Sequence, residues 1–188
     1  MTVNEISDPH KDMYLYNLYA EEFGSINPHL YYGNPSITPP KEIIDHLQIQ
    51  YLGDFFGMPV WAINGHYVRV HIDVDFTNGG NAARYLYTPK WVIWVEYDYE
   101  SADQAPSIVH EGIECTLMRK YGLNYGDAHD CANMLEWPFR RSLLHNVDLL
   151  SIENPVELAK VWLNTVNQKV YTNFISLVKH FKEHPSEA

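Results

Sequence analysis

His110, Glu111 and Glu114 stand within five residues of one another in the stretch IVHEGIECTLMRKYGLNYGDAHDCANMLE, residues 108–136, and His129 and Glu136 follow just beyond the next turn. Imidazoles and carboxylates bind divalent cations and move protons, so their spacing on a helix decides what they can do together. At roughly 100° per residue, His110 and Glu114 lie one turn apart on a face they share with Ile113, Leu117 and Tyr121. A carboxylate and an imidazole thus sit inside an apolar stripe. Burying an ionised carboxylate without a partner costs several kcal/mol, of the order of a small domain's whole stability. Glu114 therefore needs either a protonated histidine or a metal ion. His129, Asn133 and Glu136 share one face of the following segment, beside the small residues Ala128 and Ala132. A short connection makes the two helices antiparallel neighbours, so that their polar faces can meet.

The string VHEGIE is similar to the HExxH motif of the zincin metallohydrolases, with glutamate in the place of the second histidine. That resemblance implies His110 and Glu114 as metal ligands, and Glu111 as the general base that activates the metal-bound water. It implies a third ligand from a following helix, where His129 and Glu136 stand. The implied cofactor is zinc, and the implied substrate is a peptide or protein cut at an amide bond. Glutamate at position 114 makes the donor set harder, which admits manganese or iron as well. A broader run, GHYVRVHIDVDFTNGGNAARYLYTPKWVIWVEY followed by VHEGIECTLMRKYGLNYGDAHDCANMLE, resembles a set of uncharacterised bacterial and phage proteins over about residues 58–137. That likeness implies one structural unit and no activity. The competing reading of the cluster is a non-catalytic binding or structural protein, phage-derived, whose helix pair is stapled by a metal or by a polar network of the two histidines with Glu114 and Glu136.

The surrounding pattern predicts an α+β fold in a single domain, a small antiparallel sheet of about four strands packed with helices. A first helix is expected over residues 8–23, where Asp8 caps and Pro9 opens it, and a short one from Pro40 to about Tyr51. Alternating Val68, Val70, Ile72, Val74 and Phe76 predict a half-buried strand whose polar face carries His71, Asp73 and Asp75. Asn64-Gly65 predicts a tight turn pairing that strand with Pro59–Ile63. TNGGN predicts another turn, with two further strands broken near Pro89. The metal-site helices are expected within about 106–137, the first ending at Gly122, the second capped by Asp127 or a near neighbour and stopped by Pro138. Asn154 and Pro155 open a long C-terminal helix to about residue 183, with a stripe of Ala159, Trp162, Val166, Val170, Phe174, Leu177 and Phe181.

Composition narrows the function classes. A formal charge of −11 with no basic run argues against nucleic acid and against anionic membrane surfaces. No apolar run approaches the roughly 20 residues of a membrane helix. Cys115 and Cys131 are the only cysteines, so no disulfide framework is implied; both fall off the ligand faces and read as core thiols. The polar start MTVNEISDPHKD lacks a signal-peptide core, and the expectation is a protein of the reducing cytoplasm.

Overall fold

The computed structural model describes residues 47–85 and 87–186. Phe56 and Gly57 take positive φ angles of 49° and 74°, the twist a two-residue hairpin turn requires. They join β1 (Gln48–Phe55) to β2 (Met58–Ile63) in an antiparallel pair. Of the helix expected from Pro40 to about Tyr51, residues 48–51 belong to β1; residues 8–23, like residues 40–46, lie outside the described residues.

The alternating segment does not form a strand. Asn64 caps a helix, α1 (Gly65–His71), by accepting the Tyr67 N–H at 2.9 Å, and Gly65 donates to the Glu96 carboxylate at 3.1 Å. The apolar alternation does not define one face: Val68 and Phe76 are buried, whereas Val70 and Val74 are exposed. Asp73, expected on the strand's polar face, accepts instead from the Tyr87 hydroxyl at 3.1 Å, and Asp75 lies in the loop beside it.

The chain then forms β3 (Gly79–Asn81) and β4 (Ile93–Glu96), giving a four-stranded sheet in the order β1-β2-β4-β3. β4 runs antiparallel to β3 but parallel to β2, so the sheet is mixed where an antiparallel one was expected. The reason is the connection from Ile63 to Ile93. It crosses over through α1 and β3 and does not turn back as a hairpin, as a parallel pair demands. Among the described residues, only one strand, β4, comes from the segment expected to hold two around Pro89.

Alternation along the strands divides the interior. Val60, Ala62, Ile93 and Val95 face a large core with the helices, while Ile63 and Trp94 face a smaller one with Leu47, Val68, Phe76 and Tyr85. The large core is built on α2 (Ser101–Lys120), a helix buried along most of its length. It starts five residues before Pro106, because Gln104 donates to the Glu96 carbonyl at 2.8 Å and ties its first turn to β4. At Gly112 it lies so near the sheet that a Cβ would stand 2.6 Å from Phe55 Cδ1. Gly122, at φ +70°, ends it as expected.

After residues 121–124 comes α3 (Tyr125–Leu143), capped by Asn124, whose side chain accepts the Asp127 N–H at 2.9 Å. The cap thus falls on a neighbour of Asp127, three residues before it. Pro138, expected to stop this helix, lies inside it. Packing overrides the lost hydrogen bond: Leu135, Phe139 and Leu143 continue the buried stripe past the proline, and Phe139 stacks on Trp162 at 4.4 Å. A short α4 (Val147–Leu150) leads to α5 (Pro155–Thr165) and α6 (Gln168–Glu183). The expected helix of 155–183 is therefore two helices. Val166 turns extended (ψ 124°) and Asn167 caps the second by accepting the Val170 N–H at 3.0 Å. The apolar stripe nevertheless packs against the core from Ala159 to Phe181. No helix among the described residues is long and apolar enough to cross a membrane.

Candidate metal centre

The contacts between α2 and α3 run in opposite senses: Glu114 meets His129, His110 meets Glu136, and Ser107 meets Arg140. This is the antiparallel pairing that four connecting residues impose. Ala128 and Ala132 are fully buried on α3 beside this seam. Small side chains let the helix backbones approach, so polar tips from both can converge.

They converge on one point. His110 Nε2 lies 3.1 Å from His129 Nδ1, His129 Nδ1 lies 3.1 Å from Glu114 Oε2, and His110 Nε2 lies 3.4 Å from Glu114 Oε2. Among the described residues these three form the group able to hold a metal ion. A tetrahedral ion with bonds of about 2.0–2.1 Å spaces its donors about 3.3–3.4 Å apart, and an octahedral face with ~2.2 Å bonds spaces them about 3.1 Å. The triangle fits either. His110 and Glu114 are buried, while the His129 side chain is 38% exposed, so the triangle meets solvent on the His129 side.

No family model matches this chain, and no curated protein and no solved structure matches it either. The reading of the site therefore rests on its own geometry and charges.

Glu136 is not a member of the triangle. Its Oε2 sits 2.7 Å from His110 Nδ1, the ring nitrogen facing away from the other donors, at ion-pair distance but off the line of a hydrogen bond. Arg140 Nε donates to Glu136 Oε1 at 2.8 Å. A carboxylate behind a ligating imidazole fixes the ring and raises its basicity. Burial lowers the affinity of His110 for a proton, but Glu114 and Glu136, with the charge of Glu111, outweigh it and push the imidazole up to about 10. Burial alone would raise the Glu136 carboxyl, yet His110 and Arg140 hold it below its usual range.

Glu111 lies one residue round the helix, partly accessible to solvent. Its Oε2 accepts from Asn81 Nδ2 at 2.7 Å, and the same amide nitrogen donates to Glu114 Oε1 at 3.2 Å. Asn81, fully buried in β3, thus ties the Glu111 carboxyl to Oε1 of Glu114, the oxygen that does not contact the histidines. Burial first, and then the charge of Glu114, push the Glu111 carboxyl up to about 8, against the pull of His110 and Asn81. A carboxyl in that range suits proton exchange near neutral pH.

Sequence reasoning misses three contributors. Asn81 sits in a segment read only as a turn, and its partners stand 30 and 33 residues away, where no local pattern reaches. Arg140 is at i+4 from Glu136, a visible pairing, but lies beyond the proline expected to stop the helix. Tyr125, also outside the expected helix, stacks on His129 at 5.4 Å and 28°. Cys115 and Cys131 are buried away from the triangle, and burial pushes their thiols up to about 11 and about 12.

Proposed function

We propose that the protein is a metal-dependent hydrolase that cuts a peptide or amide bond. The observation that carries this reading is the triangle of His110, His129 and Glu114 donors at 3.1–3.4 Å, one side of it reaching solvent. Zinc is the first candidate, with manganese or iron admitted by the carboxylate donor. Such an ion supplies Lewis acidity, polarising a carbonyl and easing the deprotonation of water. The chain's own residues do the rest. Glu111 accepts the proton from the attacking water and returns it to the leaving nitrogen, a role its raised affinity for a proton supports. Asn81 keeps that carboxyl in place, and Glu136 with Arg140 fixes the His110 ring. The free, buried thiols of Cys115 and Cys131 suit a reducing cytoplasm.

The test combines metal content with turnover. Wild-type protein dialysed against zinc is expected to hold one ion and to release amines from a mixed peptide library. Glu111→Gln should keep the ion and lose about 10²–10⁴-fold in rate, the usual contribution of a positioned acid–base group. Full metal with unchanged hydrolysis in that variant removes the assignment of Glu111.

A second reading is favoured by the 3.1 Å approach of the two imidazoles. A protonated His110 can donate to His129 and leave a metal-free polar core in a binding or structural protein. Elemental analysis of untagged protein separates the two, since this reading expects no stoichiometric metal and no turnover.

A further inference from the structure

The Tyr125 ring that stacks on His129 also carries a cation without an acidic partner among the described residues. The Arg84 guanidinium lies over the rings of both Tyr85 and Tyr125, 5.2 Å from each centroid, and makes no ion pair among the described residues. Arg69 and Arg140, by contrast, each contact a carboxylate at 2.8 Å.

Arg84 is also held in place. The Asn81 carbonyl accepts the backbone N–H groups of Arg84 at 3.1 Å and Tyr85 at 2.8 Å, and Asn81 Oδ1 accepts that of Ala83 at 2.8 Å. The Tyr85 ring is buried against Phe76 and against Gly80, where a Cβ would stand 2.5 Å from it. The residue that positions the Glu111 carboxyl therefore also positions the turn carrying the guanidinium. His129 and Arg84 meet the same Tyr125 ring, 5.4 Å and 5.2 Å from its centroid, so they lie within about 11 Å of each other.

We propose that Arg84, braced between Tyr85 and Tyr125, is an anion clamp at the mouth of the metal centre, and that the substrate carries a free carboxylate one or two residues from the bond that is cut. This rests on the hydrolase reading above. A planar guanidinium can take a carboxylate through two parallel N–H donors, and one that lies over two tyrosine rings with no acidic partner among the described residues keeps its charge unneutralised. At ~3.8 Å per residue, a carboxylate on Arg84 lies about one or two residues from a carbonyl placed beside His129. A single cation in a chain of net charge −11 suits a monoanion better than a phosphate dianion. The substrate class is then the C-terminal end of a peptide, or an N-acyl amino acid.

The experiment compares N-acetylalanine with N-acetylalanine amide, measured by calorimetric titration into metal-free and zinc-loaded protein, with zinc content determined separately. Wild type should bind the carboxylate about tenfold tighter than the amide in both forms, because the clamp contains no metal. Arg84→Gln should bring the ratio to about one with zinc content unchanged, and Arg84→Lys should restore part of it, since an ammonium keeps the charge and loses the fork. Equal binding of the two probes by wild type, or a preference that survives in Arg84→Gln, overturns the clamp. Absence of zinc with the preference intact overturns the hydrolase reading and leaves the clamp standing.

Discussion

Two glutamates in this molecule are almost equally buried, with side chains 3% and 2% exposed, and they are neutralised in opposite ways. Glu96 receives a permanent cation and a backbone donor: Arg69 Nη1 at 2.8 Å and the Gly65 N–H at 3.1 Å. Its charge is matched whatever the solution contains. Glu114 receives one amide N–H from Asn81 and two imidazoles, and no fixed positive charge. The imidazoles balance it only by holding a proton or by sharing a cation with it. The first is a closed structural pair; the second is a socket whose charge balance depends on what is supplied.

This contrast can be broken in order of expected size. Zinc at about 100 times its Kd should stabilise the wild type by about 2.7 kcal/mol, roughly 5–10 °C in Tm for a chain of this length, and Glu114→Gln should abolish that increment. The readout is the difference between melts with zinc and with chelator; an equal increment in the variant would show that zinc binds elsewhere. At the closed pair, Arg69→Met should cost about 2 kcal/mol, the low part of the range for a hydrogen bond to a buried charge, because Arg69 itself is 36% exposed. Denaturant melts should give the same loss with and without zinc.

Glu136→Gln should weaken zinc binding by about 10-fold, the low end for a carboxylate behind a ligating histidine, with the fold intact by circular dichroism. Competition with a chromophoric chelator measures it. A separate test, which changes no residue, is a pH series on chelated protein. Glu111 is raised from 4.5 to about 8 and His110 from 6.5 to about 10, so the folded state binds more protons than the unfolded one. Stability should therefore fall as pH rises, first between about 4.5 and 8 and then through 10, and zinc affinity should rise over the same interval as protons leave. A metal-free Tm that climbs with pH in that window would contradict both assignments.

The helix pair was legible in the sequence because its information is local. His110, Glu114 and His129 report their shared face through spacing alone, and the short link at residues 121–124 brings the faces together. What was not legible depended on distant partners. Residues 67–76 alternate like a strand, but Asn64 and the Glu96 carboxylate 31 residues away start a helix there. Pro138 reads as a stop until Trp162 is known to lie against Phe139. Glu136 illustrates the same limit within the site: its helical face was readable, and the side of the imidazole it would meet was not.

The back of α2 bears on the chemistry at its front. Where Gly112 faces Phe55 there is no room for even one carbon atom, so the helix rests on the sheet as on a stop. Any larger residue there would have to displace the Phe55 ring or move the helix, and with the helix the donors it carries. The spacing of atoms able to grip a cation is thus governed by a position that never touches it, and a search for metal preference in this scaffold should begin at the floor as well as at the ligands.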